Sequence, residues 1–123
     1  MAVIELTAEN FDAVTHGDGL VLVDFWAAWC GPCRMFGPVF EQASVRHADA
    51  VFGKVNTETE PALADALGIS SIPMLMVIRD GVVLYARPGA LSEAALEQLI
   101  AGARELNMDQ VSASVAGHSA AAS

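Results

Sequence analysis

The run Leu20–Trp26 restricts the possible folds of this chain more than any other part of its sequence. It reads Leu-Val-Leu-Val-Asp-Phe-Trp and is apolar at both odd and even positions, with Asp24 as the exception. Because successive side chains of a β-strand point to opposite faces of the sheet, such a strand needs apolar partners on both faces. We therefore predict a central strand in a sheet that is covered on both sides.

Further strands and helices alternate along the chain around this run. Four more strands are predicted by short apolar runs at Val3–Leu6, Val51–Val55, Met74–Ile78 and Val82–Tyr85. Four helices are predicted by cap residues and helical spacing: one after Thr7, one from the cysteine motif through Val45, one between Pro61 and Gly68, and one after Ser92. The predicted order is β-α-β-α-β-α-β-β-α.

The connections between these elements predict how the strands pair. Strands joined through a crossover helix are expected to run parallel. Asp80-Gly81 separates the last two strands, and Asp-Gly between two apolar runs is a strong hairpin signal, so those strands are antiparallel. The sequence thus predicts an α/β fold, with a central mixed sheet and helices on both faces.

One domain accounts for most of the 123 residues. We assign it to residues 1–108. From Asp109 onward the chain is small and polar, and we predict that residues 109–123 form a mobile C-terminal tail.

Charge and composition exclude several classes of function. Fifteen acidic residues against six basic ones give a net charge of −9, so the chain cannot neutralise a row of phosphates, and we expect neither nucleic acid nor a membrane as partner. No apolar stretch approaches the length of a spanning helix. The first residues carry acids instead of a basic region, so we expect no secretory signal. With only two cysteines and no disulfide framework, a cytoplasmic location is expected.

Cys30-Gly31-Pro32-Cys33 is the motif that carries chemistry. Two thiols separated by two residues, at the end of a strand and the start of a helix, can close into a small disulfide. A helix N-terminus favours the thiolate of Cys30, which is the form that attacks a disulfide. Cys33, one turn further on, is placed to attack the resulting mixed disulfide.

Other uses of the two cysteines are less consistent with the surrounding sequence. A zinc site needs two more ligands, and His47 has no second His or Cys at finger spacing after it. Haem attachment needs His directly after the second cysteine, where this chain has Arg34. Two inert structural thiols remain an alternative at this point.

Two charged residues in predicted strands are candidate site residues. Asp24 lies six residues before Cys30, and burial in an apolar strand should raise its pKa. It is either a proton acceptor for Cys33 or an acid at a frayed strand end. Lys54, the only lysine, either partners Asp24 across neighbouring strands or extends to solvent. We expect His16, His47 and His118 to be ordinary surface residues.

The chain resembles the thioredoxin family over about residues 1–108. The resemblance is carried by five segments: Asp24-Phe25-Trp26-Ala27-Ala28-Trp29-Cys30-Gly31-Pro32-Cys33, Lys54-Val55-Asn56, Ile72-Pro73, Asp80-Gly81 and Gly89-Ala90. It implies a thioredoxin fold and a protein-disulfide reductase, an oxidoreductase of electron transport and cell redox homeostasis.

The resemblance also implies roles for particular residues. Cys30 is then the nucleophile, Cys33 the resolving thiol, Asp24 the buried acid that manages the proton of Cys33, and Lys54 the lysine near that acid. Pro73 matches a cis-proline that faces the disulfide. A flat apolar docking surface is implied around Cys30, formed by Trp29, Gly31, Pro32, Ile72, Pro73, Gly89 and Ala90.

Partners and cofactors follow from the same resemblance. Electrons would come from a thioredoxin reductase, which carries the NADPH and the flavin, and would pass to disulfide-containing target proteins. No cofactor or metal would bind the chain itself, and we expect a monomer. The family pattern is broken at Met74, where Thr is usual after the proline, and at Glu58, where Asp is usual.

Two alternatives remain beside the reductase. The first is a thioredoxin-fold interaction or chaperone subunit that uses its thiols little. The second is a disulfide oxidase or isomerase, against which Gly31-Pro32 argues because related oxidising enzymes usually carry His in place of Pro32.

Overall fold

A computed structural model describes residues 2–111 of the chain. It contains five strands and four helices in the predicted order: β1 (Val3–Glu5), α1 (Phe11–Thr15), β2 (Leu20–Trp26), α2 (Gly31–Arg46), β3 (Val51–Asn56), α3 (Pro61–Ala66), β4 (Met74–Arg79), β5 (Val82–Pro88) and α4 (Glu93–Glu105). The alternation predicted from the sequence is confirmed, with strand and helix ends that differ by a few residues.

The five strands form one mixed sheet in the order β1-β3-β2-β4-β5. β3 pairs in parallel with β1 and with β2, whereas β4 is antiparallel to both β2 and β5. The prediction of a central mixed sheet is confirmed, and β2 is its middle strand.

One connection departs from the rule that a crossover helix joins parallel strands. β3 ends beside Trp26 and β4 begins beside Phe25, so both lie at the same end of β2. α3 has six residues, or about 9 Å of helix, which is too short to return along a strand of about 20 Å. β4 therefore runs back antiparallel, and the sequence-based expectation of parallel pairing is wrong here.

Both faces of β2 are buried, as its composition predicts. Leu20 and Leu22 pack under α2 and α4, together with Phe36, Phe40, Phe52, Leu96 and Ile100. Val21, Val23 and Phe25 belong to the opposite cluster, which includes Phe11, Val55 and Met76. Asp24 shares the even parity of Leu20 and Leu22, so its side chain points to the α2 side of the sheet.

The predicted hairpin and helix cap are also present. Asp80 and Gly81 have φ values of 52° and 78°, the left-handed backbone that a two-residue hairpin requires. The carboxylate of Asp80 accepts a hydrogen bond from the Gly19 N–H at 2.8 Å. Ser92 caps α4 by accepting from the Ala95 N–H at 3.2 Å. Thr7 instead supports a turn, and α1 begins only at Phe11.

His47 differs from its expected place on the open surface. Its ring is partly buried, lies over Phe52, and has its Nε2 2.6 Å from Glu97 and its Nδ1 3.2 Å from Arg104. Glu97 and Arg104 lie on α4, so the side chain joins the end of α2 to that helix.

The predicted C-terminal tail is only partly covered by the structure. Asn107 accepts hydrogen bonds from the N–H groups of Asp109 and Gln110 and begins a helical turn that reaches Val111. The remainder, 112–123, lies outside the described residues, as does His118. Among residues 2–111, no helix has the length and apolar character needed to cross a membrane.

Candidate active site

The two cysteines lie where β2 passes into α2. Cys30 is the N-cap of α2, and it forms a disulfide with Cys33, with 5.2 Å between the two Cα atoms. The N–H of Cys33 donates to Cys30 Sγ at 3.2 Å. A hydrogen bond to the sulfur and the positive end of the helix dipole both stabilise negative charge on Cys30 once the disulfide is reduced. Each cysteine is only 4% exposed.

A second loop brings backbone groups to Cys30. The peptide bond Ile72-Pro73 is cis, as the resemblance implies, and the carbonyl oxygen of Ile72 lies 3.9 Å from Cys30 Sγ. Pro73 is buried, and its carbonyl accepts a hydrogen bond from the Gly89 N–H at 2.8 Å. Ile72 is thus held next to Cys30, and Gly89 next to Pro73, although these loops are distant from the cysteines in sequence.

The remaining docking residues border this arrangement. Trp29 is 68% exposed, a large apolar side chain directly before the disulfide. Pro32, Gly89 and Ala90 are exposed, and Gly31 is half-buried. The predicted docking surface therefore has an uncharged, partly exposed composition, and its central contacts are those of Ile72, Pro73 and Gly89.

Asp24 lines the same crevice as Cys33 and is almost fully buried, at 4% exposure. Burial raises the pKa of this carboxyl from 3.8 to about 7, while the nearby charge of Lys54 partly lowers it. The Oδ1 atom of Asp24 has no hydrogen-bond partner among the described residues. A carboxyl group with this pKa can both accept and release a proton near neutral pH.

The position of Lys54 agrees in part with both predicted alternatives, pairing with Asp24 and extension to solvent. It is the register partner of Asp24 in the parallel pair of β2 and β3. The two side chains do not form a salt bridge, since the ion pairs among the described residues involve Arg46, His47 and Arg104. Its ammonium lies 5.5 Å from the centroid of the Trp26 ring. Lys54 thus acts on Asp24 by charge at a distance.

A crevice beside Asp24 and Cys33 is a feature that the sequence analysis missed. It has a volume of about 190 Å³. Its lining is formed by Val3, Asp24, Trp26, Cys33, Arg34, Gly37, Phe40, Glu41 and Lys54. Cys33, Gly37 and Glu41 follow each other at four-residue intervals, which places them on one face of α2. That spacing was visible in the sequence, but the strands opposite it were not.

Arg34 is a second residue without a predicted role. Its Nη1 donates to the carbonyl of Ala28 at 2.8 Å, which ties the turn before Cys30 to the first turn of α2. Among residues 2–111, no cluster of three or more His, Cys, Asp or Glu side chains could hold a metal ion.

Comparison with known families agrees with this site. The family model described as Thioredoxin matches residues 2–102. A protein named putative thioredoxin 2, from Streptomyces coelicolor, is 56% identical over 119 residues, which cover 97% of this chain and 89% of the relative. A thioredoxin from Alicyclobacillus acidocaldarius is 48% identical over 81 residues, covering 65% of this chain and 77% of the relative.

Solved structures with a similar fold include two thioredoxins. A mutant thioredoxin from Halobacterium salinarum superposes with a TM-score of 0.77 at 35% identity, covering 85% of this chain and 93% of the other. A thioredoxin from Malassezia sympodialis gives a TM-score of 0.72 at 34% identity, covering 81% and 89%.

Proposed function

Because this chain belongs to the thioredoxin family and is a thiol–disulfide oxidoreductase, we propose that Cys30 is its attacking thiol. The protein is a protein-disulfide reductase. In the reduced state, the Cys30 thiolate attacks one sulfur of a target disulfide and forms a mixed disulfide, while the other target sulfur leaves as a thiolate and takes a proton from solvent. The observation that carries this assignment is the hydrogen bond from the Cys33 N–H to Cys30 Sγ at the start of α2.

Cys33 resolves the mixed disulfide with the help of Asp24. The thiol of Cys33 gives its proton to the ionised Asp24 carboxylate, and the new thiolate attacks Cys30 Sγ. The disulfide Cys30–Cys33 forms, and the target leaves with both of its sulfurs reduced. Both Asp24 and Cys33 line the same crevice, and the pKa of Asp24 near 7 suits a group that must accept and then release a proton.

Target binding is assigned to the docking surface. An extended segment of the target lies against Ile72 and Pro73, with the backbone groups of residue 72 available for hydrogen bonds. Trp29, Pro32 and Ala90 offer apolar contact area, and Gly31 and Gly89 permit close approach of the target backbone. The exposure of Trp29 and the contact of Ile72 with Cys30 support this assignment.

As a family member, the protein works with a reductase and with disulfide-containing targets. We assign the electron supply to a thioredoxin reductase that carries NADPH and flavin, so this chain passes electrons through its own disulfide. Both thiols and the docking residues come from one chain, which supports action as a monomer. A dithiol that serves as a reductant needs a reducing compartment, and we therefore assign the protein to the cytoplasm.

Equilibration with glutathione tests the direction of the reaction. The protein is incubated in buffers of defined reduced-to-oxidised glutathione ratio, and the fraction of the Cys30–Cys33 disulfide is measured after acid quenching and alkylation. We expect a disulfide that glutathione at cytosolic poise does not fully reduce. Each tenfold change in the equilibrium constant is about 30 mV for two electrons. A potential close to that of strong oxidants would identify an oxidase instead.

A further inference from the structure

We propose that Gly37 keeps a solvent crevice open through which Asp24 exchanges its proton with water. The inference rests on the proposed role of Asp24 as the proton acceptor for Cys33. It adds the route by which Asp24 returns to its ionised state after each turnover. The proton balance is simple: the protonated carboxyl of Asp24 gives H⁺ to a water molecule in the crevice and becomes a carboxylate again.

A buried acid that turns over protons needs such a route. Asp24 is 4% exposed, and its Oδ1 has no protein partner. Trp26 Nε1 is likewise buried without a partner, and Trp26 also lines the crevice. Both residues line the crevice, so water in it lies beside their side chains, although these two atoms themselves are covered. A cavity needs only about 10–15 Å³ to hold one water molecule, and this crevice has about 190 Å³.

The wall formed by α2 explains why the crevice exists. Gly37 lies one turn after Cys33 and one turn before Glu41 on the helix face that lines it. A Cβ atom built on Gly37 meets no atom within 4 Å outside its own helix backbone and chain neighbours, so the space beside this residue is open. Glycine leaves this space unfilled, whereas a long side chain at the same position would occupy it.

The charged groups around the crevice suit proton exchange. Lys54 of β3 and Arg34 and Glu41 of α2 line it together with Asp24. The register partner of Asp24 on the other side, Leu75 of β4, is apolar. Glu41 is exposed and Asp24 is buried, so the lining of the crevice extends from a side chain in solvent to the buried carboxyl group.

Pro38 offers a competing reason for Gly37, and the experiment must separate the two. The proline ring crowds the Cβ of the residue before it, so a glycine there also relieves steric strain. Gly37→Ala introduces that Cβ with little filling of the crevice. Gly37→Leu has the same Cβ and adds a side chain that occupies the open space. A difference between the two variants therefore reports the crevice.

The measurement is the pH dependence of single-turnover reduction of insulin disulfides by the reduced protein. We expect the profile of Gly37→Leu to move to higher pH, with a rate several-fold lower at pH 7 and close to that of the native protein at pH 9. A ¹³C NMR titration of the Asp24 carboxyl should show its pKa raised further, because filling the crevice removes water from it. Gly37→Ala should stay close to the native protein in both measurements.

Gly102→Leu is the matched control, since Gly102 lies inside α4 and a Cβ there also meets open space. It should leave the profile unchanged. Equal profiles for Gly37→Leu and Gly37→Ala would overturn the inference. Asp24→Asn distinguishes failure of the crevice inference from failure of the proposed function. If Asp24→Asn slows the reaction and Gly37→Leu does not, Asp24 keeps its role in proton transfer and only the crevice inference fails. If Asp24→Asn leaves the profile unchanged, the role of Asp24 fails, and the inference fails with it.

Discussion

Cys30 and Cys33 are buried to the same extent, but their surroundings differ. Cys30 faces uncharged groups: the N–H of Cys33, the carbonyl of Ile72 and the exposed Trp29. Cys33 lines a crevice with Asp24 and Lys54. We propose that the first environment stabilises a thiolate and accepts a polypeptide, and that the second moves a proton. The different roles that we propose for the two thiols therefore rest on what lies around each sulfur, since their exposure is the same.

The largest expected effect concerns the buried acid on the Cys33 side. Asp24 has a pKa of about 7 in the folded protein against 3.8 in the unfolded chain. Between these values the native state binds more protons than the unfolded state, so stability falls as pH rises through this window, and the full cost is present above about pH 7. Three units correspond to roughly 4 kcal/mol.

Urea denaturation of the oxidised protein measures this cost. Asp24→Asn should raise the free energy of unfolding relative to the native sequence by about 4 kcal/mol more at pH 8 than at pH 3. The samples are kept oxidised because the cysteines of a disulfide do not ionise and so do not contribute to the pH dependence of stability. A difference that does not change with pH would mean that the carboxyl is solvated and that the two cysteine environments are more alike than described.

The next effect concerns the Cys30 side. Trp29→Ala should lower kcat/KM for a protein disulfide about tenfold, or about 1.4 kcal/mol, because it removes a large apolar contact from the docking surface. Stability should change by less than about 0.5 kcal/mol, since the side chain is 68% exposed. Steady-state reduction of insulin gives the first value and urea denaturation the second.

Met35→Ala is the matched control for this prediction. Met35 is 74% exposed on α2 and lies outside the predicted docking surface. Its truncation should leave kcat/KM unchanged. The same loss in both variants would show that general surface hydrophobicity, and not a site around Cys30, binds the target.

The smallest effect concerns Lys54. Its charge lowers the pKa of Asp24, so Lys54→Met should raise that pKa and leave less carboxylate at pH 7. Lys54 is half-buried and forms no salt bridge with the buried Asp24, so we expect an effect of about 0.4 kcal/mol, which is about twofold in rate. The single-turnover rate should recover as pH rises, and Lys54→Arg should behave as the native protein does. A loss that persists at high pH would assign Lys54 a role outside proton transfer.

Local patterns in the sequence predicted the parts of the fold that depend on neighbouring residues. The two-sided apolar run of β2, the Asp80-Gly81 hairpin and the Ser92 cap each need only a short stretch of chain, and all are present. The direction of β4 depended on the length of α3 and on the strand that β4 would join. Neither was contained in the alternation of helices and strands.

The candidate site likewise has parts that could be predicted from the sequence and parts that could not. The cysteine motif and a buried Asp24 could be predicted because both lie on one continuous segment. The crevice could not, because it arises where the face of α2 that carries Gly37 lies opposite β2 and β3. His47 was misjudged for a similar reason: its partners Glu97 and Arg104 are about 50 residues away along the chain.

The central claim, that Cys30 attacks and Cys33 resolves, is tested most directly by trapping. Without Cys33 the chain has no other thiol to complete the exchange, so Cys33→Ser should accumulate mixed disulfides with target proteins in a cell lysate, and added dithiothreitol should release them. Cys30→Ser should accumulate very few, because Cys33 lacks the position at the start of α2. Equal capture by the two variants, or more by Cys30→Ser, would contradict the assigned roles.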